Sequence, residues 1–278
     1  MPEWLITEPL GHFYYLLAML LPFRQAARLP GTHMPIPRVG FGRRALTITS
    51  MEQNEVLKAL RRDHAAELKL AAERLKGTAR HTEIIPSPVL SEMTGHEILL
   101  KPENLQVTGS FKIRGAYNKI ASLTDEQLAH GIVTASAGNH AQGVAYAARE
   151  RGAKATICMP QITPPLKVDA TKAYGADVVL CGEVFDESAA HAQELSDNEG
   201  MIYVPPFDDY EVLCGQGTIG LEILEDVPNV TDVVVPLGGG GLGAGVALAI
   251  KTFKPERTYK PPPRIGHKYS QSQTYYFK

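Results

Sequence analysis

The sequence is poor in cysteine and contains no short-spaced metal-binding motif. Its three cysteines, Cys158, Cys181 and Cys214, lie far apart and form no CxxC pair. This pattern argues against a disulfide framework or a thiolate zinc site, and it suits a reducing compartment, so we expect a cytoplasmic protein. The nine histidines form no HExxH or HxxxH pair, so no metal site is expected.

The sequence also has little excess of one charge over the other and few long hydrophobic runs. The formal net charge of −2 gives no electrostatic reason to expect nucleic acid or an anionic membrane as a partner. The apolar segment Leu10–Phe23 is shorter than the roughly 20 residues of a membrane helix and lacks the basic flank of a secretory signal. The sequence does have 44% hydrophobic and 21% charged residues, which is typical of a globular protein with a sizeable core.

Between residues 98 and 255, short apolar runs alternate with helical patterns. Strands and helices alternating at this spacing predict an α/β fold with a mostly parallel sheet, in which functional residues lie in the turns after the strands. The predicted strands are Ile98–Leu100, Ile132–Ala135, Ala155–Met159, Val178–Cys181, Ile202–Val204 and Val233–Val235. The predicted helices are Phe111–Leu123, Ala141–Glu150, Lys167–Tyr174, Asp186–Glu199, Gly217–Glu225 and Gly245–Phe253.

The two ends of the chain differ from this core. Residues 1–50 contain six prolines and little periodicity, which predicts an irregular extension. A helical pattern begins at Met51 and ends at Gly77, which suits a C-cap. Residues 257–278 carry no acidic residue, include a run of three prolines and show no strand or helix period. We therefore expect an irregular tail where an α/β sheet would continue with another strand.

The first chemical motif joins a predicted strand to the start of a helix at Lys112. It runs from Lys101 to Ala116, with Ser110 as the expected N-cap. A helix N-terminus presents free N–H groups and the positive end of the helix dipole, which should lower the pKa of Lys112. A lysine that forms a Schiff base must be neutral to attack a carbonyl. The alternative is a surface lysine beside a capped helix.

The second motif, Thr134–Gly143, also joins a strand to a helix. Ser136, Gly138 and Asn139 can bring backbone and side-chain donors to a carboxylate or phenolate oxygen. The alternative is an ordinary turn in which Ser136 or Asn139 caps the helix. His140 suits the role of a metal ligand or a base, and it suits equally the role of a histidine that simply packs in the turn.

The third motif is a loop of four consecutive glycines, Gly238–Gly241. Their main-chain N–H groups can wrap a phosphate, and the dipole of the following helix adds to the attraction. With Gly243 the loop also matches GxGxxG, but a dinucleotide site needs an acidic residue about 20 positions later, and none is found there. The loop also lacks a Walker A lysine, so a smaller phosphorylated cofactor fits better.

Together, in this order and at this spacing, the three motifs resemble the threonine/serine dehydratases, which are fold type II (tryptophan-synthase-β-like) pyridoxal-phosphate enzymes. Thr163–Ala170 and Gly215–Glu222 are also similar to this family, so the resemblance covers roughly Met51 to Glu256. It implies an α/β fold of two open, mostly parallel twisted sheets flanked by helices. Residues 51–130 and 209–256 would form a large cofactor-anchoring domain, and residues 131–208 a small domain.

The resemblance also implies roles for individual residues. Lys112 would be the Schiff-base lysine and, once the substrate amine displaces it, the base that removes the Cα proton. Phe111 would pack near the ring of pyridoxal 5′-phosphate, and Asn139 would bond its 3′-oxygen. The phosphate would be held by Gly238, Gly239, Gly240, Gly241 and Leu242. The substrate carboxylate would be received by Ser136, Ala137, Gly138, Asn139 and His140.

The implied reaction is the pyridoxal-phosphate-dependent elimination and deamination of L-threonine to 2-oxobutanoate, or of L-serine to pyruvate, with release of ammonia. Racemases of this family usually carry a second serine where this chain has Ala137, and sulfhydrylase relatives differ around Lys112, so both are disfavoured. The resemblance further implies a lyase of amino-acid metabolism, for example in isoleucine biosynthesis. Its partner would be a small amino-acid substrate, and a complete chain would form a homo-oligomer.

Beyond Thr258 the family continues with another strand, an acidic cation site and further helices, none of which is visible here. One alternative is therefore a truncated, inactive family member that retains only cofactor or amino-acid binding. A nicotinamide-dependent oxidoreductase is a third class, and the missing acidic residue after the glycine loop disfavours it.

Overall fold

From Ile132 to Phe253 the chain alternates strands and helices, as the hydrophobic pattern predicts. The structure is a computed structural model that describes residues 62–256, 259–260 and 273–277, and the described residues from His64 onward belong to one unit. The extension expected over residues 1–50 and the start of the helix expected from Met51 lie outside the described residues. Of the helices that the structure describes, none is long and apolar enough to cross a membrane.

The described elements are as follows in chain order. The helices are α1 His64–Leu75, α2 Pro88–Thr94, α3 Lys112–Ala121, α4 Asp125–Ala129, α5 Asn139–Glu150, α6 Pro165–Lys172, α7 Phe185–Glu199, α8 Tyr210–Asp226 and α9 Gly241–Phe253. The strands are β1 Ile85–Pro86, β2 Leu99–Leu100, β3 Ile132–Ala135, β4 Ala155–Met159, β5 Asp177–Leu180, β6 Ile202–Tyr203, β7 Val233–Leu237, β8 Tyr259–Lys260 and β9 Gln273–Phe277. The helix α2 and the short α4 were not predicted from the sequence.

A four-stranded parallel sheet in the order β5-β4-β3-β6 lies within residues 131–208. All four residues of β3 are buried, as expected for a central parallel strand covered on both faces. Helix α5 covers one face through a cluster that includes Val144 and Ala148. Helix α7 covers the other face through Ala192, which packs with Val133 and Cys158. The turn after β3 leads directly into α5, so this sheet positions the second sequence motif.

A second, smaller sheet is built on β7. Strand β9 pairs antiparallel with β7, with Tyr275 opposite Val235, and β8 pairs antiparallel with β9. The irregular tail expected over residues 257–278 is therefore wrong for Tyr259–Lys260 and Gln273–Phe277. Threonine, tyrosine and phenylalanine in β9 have high strand propensity, and their backbone pairs with the edge of β7. The sequence pattern did not reveal this strand because its residues do not alternate between apolar and polar.

Helix α8 begins at Tyr210, well before the predicted start at Gly217. Glycine inside a helix is unfavourable by about 1 kcal/mol relative to alanine, so the sequence reading placed the start after Gly215. The structure explains the glycine: a Cβ at Gly215 would lie only 2.6 Å from the Cα of Gly115 in α3. The two helices therefore cross with their backbones in direct contact, which fixes α3 against the core.

We expect Gly215→Ala to destabilise the protein by about 1–3 kcal/mol, the usual cost of overpacking, although alanine is the better helix former. The added methyl group must push α3 away from α8, because the atoms it meets belong to backbone. Urea unfolding followed by circular dichroism measures the change. Glu225→Ala, at an exposed position of the same helix, is the matched control and should stay within about 0.5 kcal/mol of the wild type. A Gly215→Ala variant as stable as the control would contradict the proposed close crossing.

Candidate active site

Lys112 is the first residue of α3, and its amine points to the segment after β6. The Nζ atom donates a hydrogen bond to the carbonyl oxygen of Pro206 at 2.6 Å. It lies 5.5 Å from the ring centre of Phe111 and 5.9 Å from that of Phe207. Two aromatic rings and one backbone carbonyl therefore lie close to the amine.

Burial lowers the pKa of Lys112 from 10.5 to about 8. The direction agrees with the sequence prediction, but the cause is removal from water, which penalises the ammonium form, and not the helix dipole. At pH 7 this change increases the neutral fraction of the amine by about 300-fold. Lys112 is therefore suited to attack a carbonyl carbon near neutral pH.

The N-terminus of α3 is not capped by Ser110, in contrast to the prediction. Phe111 occupies the N-cap position and makes no side-chain cap hydrogen bond. The hydroxyl groups of Ser110 and Thr108 are buried and have no hydrogen-bond partner among the described residues. Buried hydroxyls usually find a partner, because leaving one unpaired is costly. The segment that leads to Lys112 therefore has hydrogen-bonding capacity left for a polar ligand.

The turn after β3 enters α5 at Asn139, with Gly138 as the N-cap residue and no side-chain cap hydrogen bond. Ser136 instead accepts a hydrogen bond on its Oγ from the N–H of Gly138 at 3.3 Å, so neither Ser136 nor Asn139 caps the helix. The side chain of Asn139 is exposed, and Ala137 is half-buried. The first N–H groups of α5 are consequently free of side-chain caps, the arrangement that attracts anions.

Helices α5 and α3 meet at the candidate site. A Cβ at Gly143 would lie 3.2 Å from the carbonyl carbon of Lys112, so the second turn of α5 packs on the start of α3. His140, in the first turn, is buried, and its Nε2 donates to the carbonyl oxygen of Val204 at 3.0 Å. Its Nδ1 is buried without a partner among the described residues.

The pKa of His140 is lowered from 6.5 to about 3, first by burial and then by the charge of Lys112, while the bond to Val204 opposes the shift. The ring is therefore neutral at physiological pH. With Nε2 donating, Nδ1 is a hydrogen-bond acceptor. This favours the reading of His140 as a packed histidine of the turn over a proton-transfer base, since a group with so low a pKa is a weak base.

Acidification should destabilise the protein through His140. The unfolded chain takes up a proton near pH 6.5, whereas the folded chain holds this ring neutral down to about pH 3. Stability from this group is complete above pH 6.5 and falls by about 1.4 kcal/mol per pH unit below it. His140→Gln keeps a donor for Val204 but cannot titrate. Its loss of unfolding free energy between pH 7 and pH 5 should be smaller than the wild type's by about 2 kcal/mol; equal losses in urea titrations would disprove the assignment.

The glycine loop leads directly into α9, which begins at Gly241, earlier than predicted. Gly240 has φ +89°, a left-handed conformation that favours glycine. A Cβ at Gly239 would lie 2.6 Å from Cε1 of the Phe207 ring, and one at Gly241 would lie 3.0 Å from Cβ of Phe207. At Gly238 an added Cβ meets nothing within 4 Å. The loop backbone therefore packs on Phe207 and leaves space on the Gly238 side.

Phe207 connects the three sequence motifs. Its ring lies near both Lys112 and the glycine loop, and α5 touches Lys112 through Gly143. The structure thus brings Lys112, Phe111 and His140 together and places the glycine loop one aromatic ring away. Among the other candidate residues, Leu242 is half-buried in the first turn of α9, and Ser136, Ala137, Gly138 and Asn139 lie in the turn that precedes His140.

Pro206 and Phe207 were missed as functional candidates from the sequence. Pro205-Pro206 was read only as the end of a strand, and a single phenylalanine carries no chemical signal. Their position could be found only from the fold, because β6 places the residues after it opposite the start of α3. We now count both among the residues that shape the site.

Arg114, two residues after Lys112, was also missed. Its guanidinium is buried and pairs bidentately with two carboxylates: with Glu222 at 2.5 and 2.9 Å, and with Glu103 at 2.8 and 2.9 Å. Burial alone would lower its pKa, but the bonds and charges of Glu103 and Glu222 outweigh burial and raise the pKa. Lys101 approaches Glu222 at 2.8 Å. This ion cluster joins the start of α3 to α8 and so fixes the backbone that carries Lys112.

These residues fit a phosphorylated aromatic aldehyde. The amine of Lys112 is largely removed from water, aromatic rings flank it, and buried hydroxyls before it lack partners. The glycine loop begins a 13-residue helix whose N-terminus has no side-chain cap, as a phosphate site requires. Fold and site together define an α/β protein of the class that attaches pyridoxal phosphate to a lysine at a helix start.

Comparison with known proteins identifies the family. The profile described as "Pyridoxal-phosphate dependent enzyme" matches residues 75–275, and the chain belongs to that family. This confirms the predicted resemblance, the fold type II α/β class and pyridoxal phosphate as the cofactor of the family.

The similar curated proteins are threonine-deaminating enzymes by name. The L-threonine ammonia-lyase of Thermotoga maritima is 55% identical over 190 residues, which cover 68% of this chain and 47% of that protein. The catabolic L-threonine dehydratase TdcB of Staphylococcus aureus (strain USA300) is 53% identical over 190 residues, covering 68% and 55%. The chain therefore spans about half the length of the curated relatives it matches.

Solved structures of the same fold are also similar to this chain. The processed form of threonine deaminase isoform 2 from Solanum lycopersicum superimposes with a TM-score of 0.65 at 42% identity, covering 69% of this chain and 53% of that one. Maize serine racemase superimposes with a TM-score of 0.65 at 35% identity, covering 68% and 58%. Both share the fold, so the choice between their reactions depends on the residues of the site.

Proposed function

We propose that this chain carries the amino-acid site of a pyridoxal-phosphate-dependent ammonia-lyase that converts L-threonine to 2-oxobutanoate and ammonia, and L-serine to pyruvate. The observation that carries the proposal is the partly neutral amine of Lys112, with its pKa of about 8, at the point where α3, α5 and the glycine loop converge on Phe207. The names of the relatives support threonine as the preferred substrate.

Each group of residues has a proposed task. Bound pyridoxal phosphate supplies an aldehyde carbon for attachment and a conjugated ring that accepts the electron pair left at the substrate Cα. Lys112 would hold the cofactor's aldehyde carbon through Nζ in place of its bond to Pro206. Once the substrate amine has displaced it, the freed Nζ would take the Cα proton. Phe111 and Phe207 exclude water around that amine, which favours its neutral form.

The anionic groups would be held at helix starts. Backbone N–H groups of Gly238–Gly241 and Leu242, at the uncapped N-terminus of α9, would bind the phosphate. The uncapped start of α5, from Ser136 to His140, would bind the substrate carboxylate. Asn139 is exposed and unbonded in the described contacts, which leaves its amide available for the cofactor's 3′-oxygen.

The proposal extends to organisation and assembly. All four strands of the parallel sheet lie within residues 131–208, which supports a small domain there and a large one from residues 51–130 and 209–256. We also propose a cytoplasmic homo-oligomer acting in amino-acid metabolism, with isoleucine biosynthesis and threonine catabolism as the two candidate roles.

A coupled assay of the purified full chain tests the function. The chain is mixed with pyridoxal phosphate and L-threonine, and 2-oxobutanoate is measured. We expect product formation at a rate proportional to chain concentration. Bound cofactor without 2-oxobutanoate would instead support the non-catalytic binding protein. D-serine formed from L-serine would point to the racemase reaction, which Ala137 disfavours.

A further inference from the structure

Folding brings two distant cysteines and a histidine together on the α7 side of the parallel sheet. Cys158 lies in β4, Cys181 directly follows β5 and His191 lies in α7. The two sulfur atoms and one ring nitrogen of His191 all lie within 4.8 Å of one another. Sequence spacing argued against a thiolate metal site, because the three residues come from separate elements and form no short motif.

The register of the sheet explains why the two thiols meet. Cys158 pairs with Val179 across β4 and β5, and Cys181 follows two residues later. Residues two apart in a strand point to the same face, so both thiols project toward α7. Ser188 of α7 anchors that helix by donating from Oγ to the carbonyl oxygen of Cys181 at 2.7 Å. His191 is three residues further along, on the same side of the helix.

A carboxylate lies near the histidine ring. Nδ1 of His191 lies 3.5 Å from Oε2 of Glu194. In metal sites, a carboxylate on one ring nitrogen fixes the tautomer and leaves the other nitrogen for the metal. Cys158 is fully buried, while Cys181 and His191 are partly exposed, so the cluster is open to solvent from one side.

We propose that Cys158, Cys181 and His191 bind one thiophilic divalent cation of the Zn²⁺ type, with Glu194 positioning the imidazole. Two thiolates and one imidazole are a ligand set that Zn²⁺ prefers, and a fourth position remains for water. On binding, each thiol loses its proton to solvent as its sulfur–metal bond forms, so no electron transfer and no oxidant are needed.

The environment of the thiols fits a cation that takes the place of protons. Burial raises the pKa of Cys158 to about 12, and the adjacent Cys181 thiol contributes in the same direction. A divalent cation between them compensates the two negative charges that burial otherwise disfavours.

Metal titration of the full chain tests the site. The protein is reduced with a phosphine, freed of metal with a chelator and titrated with Zn²⁺ in competition with a chromophoric indicator. We expect one equivalent of tight binding per chain, and a thiolate-to-metal charge-transfer band when Co²⁺ replaces Zn²⁺. His191→Ala and Cys181→Ser should weaken binding by more than about 100-fold, and Glu194→Gln by about 10-fold.

Two controls separate loss of a ligand from loss of the fold. His191→Cys restores a set of three metal ligands and should recover tight Zn²⁺ binding. If His191 only supported the fold, this substitution would not recover binding. His96→Ala, at an exposed loop position, and Cys214→Ser, outside the cluster, should leave affinity and stoichiometry unchanged. Absence of tight Zn²⁺ binding by the reduced wild type, or equal affinity in wild type and His191→Ala, would overturn the proposal.

Discussion

Lys112→Ala is expected to abolish turnover of L-threonine, reducing the rate by at least about 1,000-fold. Loss of a proton-transfer group alone typically costs 10²–10⁴-fold, and this variant also loses the atom that attaches the cofactor. The amine is the only lysine nitrogen among the described residues that faces both Phe111 and Phe207. No neighbouring residue in that part of the chain offers a replacement amine, so we expect no partial rescue.

The variant should fold at least as well as the wild type. Burial of the Lys112 amine is unfavourable for its charged form, as its lowered pKa shows, and its removal frees only the carbonyl of Pro206. Unchanged urea unfolding together with lost activity would therefore separate catalysis from stability. Lys154→Ala removes an exposed lysine and is the matched control, with activity equal to the wild type.

Cofactor attachment gives a second readout for Lys112. Borohydride reduction of the cofactor-loaded chain followed by peptide mass spectrometry should locate the label on Lys112 and nowhere else. Labelling of the free chain should rise with pH and level off above about pH 8, following the pKa of this amine, whereas an ordinary lysine would still be rising at pH 10. Label on another lysine, or 2-oxobutanoate production by Lys112→Ala, would refute the assignment.

The central strands could be predicted because nearly all of their residues are buried. Ile132–Ala135 and Ala155–Met159 were predicted with the bounds that the structure shows, since continuous apolar runs mark central parallel strands. The start of α8 could not be predicted, because Gly215 reads as a helix breaker until the crossing helix α3 is known. A close contact between helices leaves no local signature other than the glycine itself.

The site was predictable only where chemistry is local in sequence. Lys112 and the glycine loop are contiguous segments whose residue types suggest a role, so the sequence alone could nominate both as candidates. Phe207 contributes a ring, and its importance depends on lying between Lys112 and Gly239, which is a property of the fold. The cluster around Arg114 joins residues more than 100 positions apart, and a single sequence cannot show such a pairing.

Arg114→Met is expected to destabilise the protein by about 3–5 kcal/mol, the usual cost of removing one partner from a buried ion cluster. Its side chain is only 1% exposed, so no water can take over its role. The Glu103 carboxylate would keep Thr82 as a hydrogen-bond partner, and Glu222 would keep Lys101. Each would nevertheless lose a bidentate contact with a full positive charge.

Such a loss is large compared with a total free energy of unfolding of about 5–15 kcal/mol. It weakens the attachment of α3, the helix that carries Lys112. We therefore expect the urea midpoint of Arg114→Met to drop sharply and its cofactor affinity to drop with it. Lys76→Met is the control: Lys76 and Glu73 form an exposed pair at 2.6 Å with side chains 71% and 64% exposed, and such pairs contribute less than about 1 kcal/mol.

Replacing the carboxylates as well distinguishes charge from packing. If unpaired buried charge is the cause, adding Glu103→Gln and Glu222→Gln to Arg114→Met should recover part of the lost stability, because no carboxylate remains without its partner. If the cause were only the shape of the arginine side chain, the added substitutions would lower stability further. An unchanged midpoint for Arg114→Met alone would show that the cluster does not stabilise the start of α3, and that Lys112 is positioned by the glycine crossing between α3 and α8 instead.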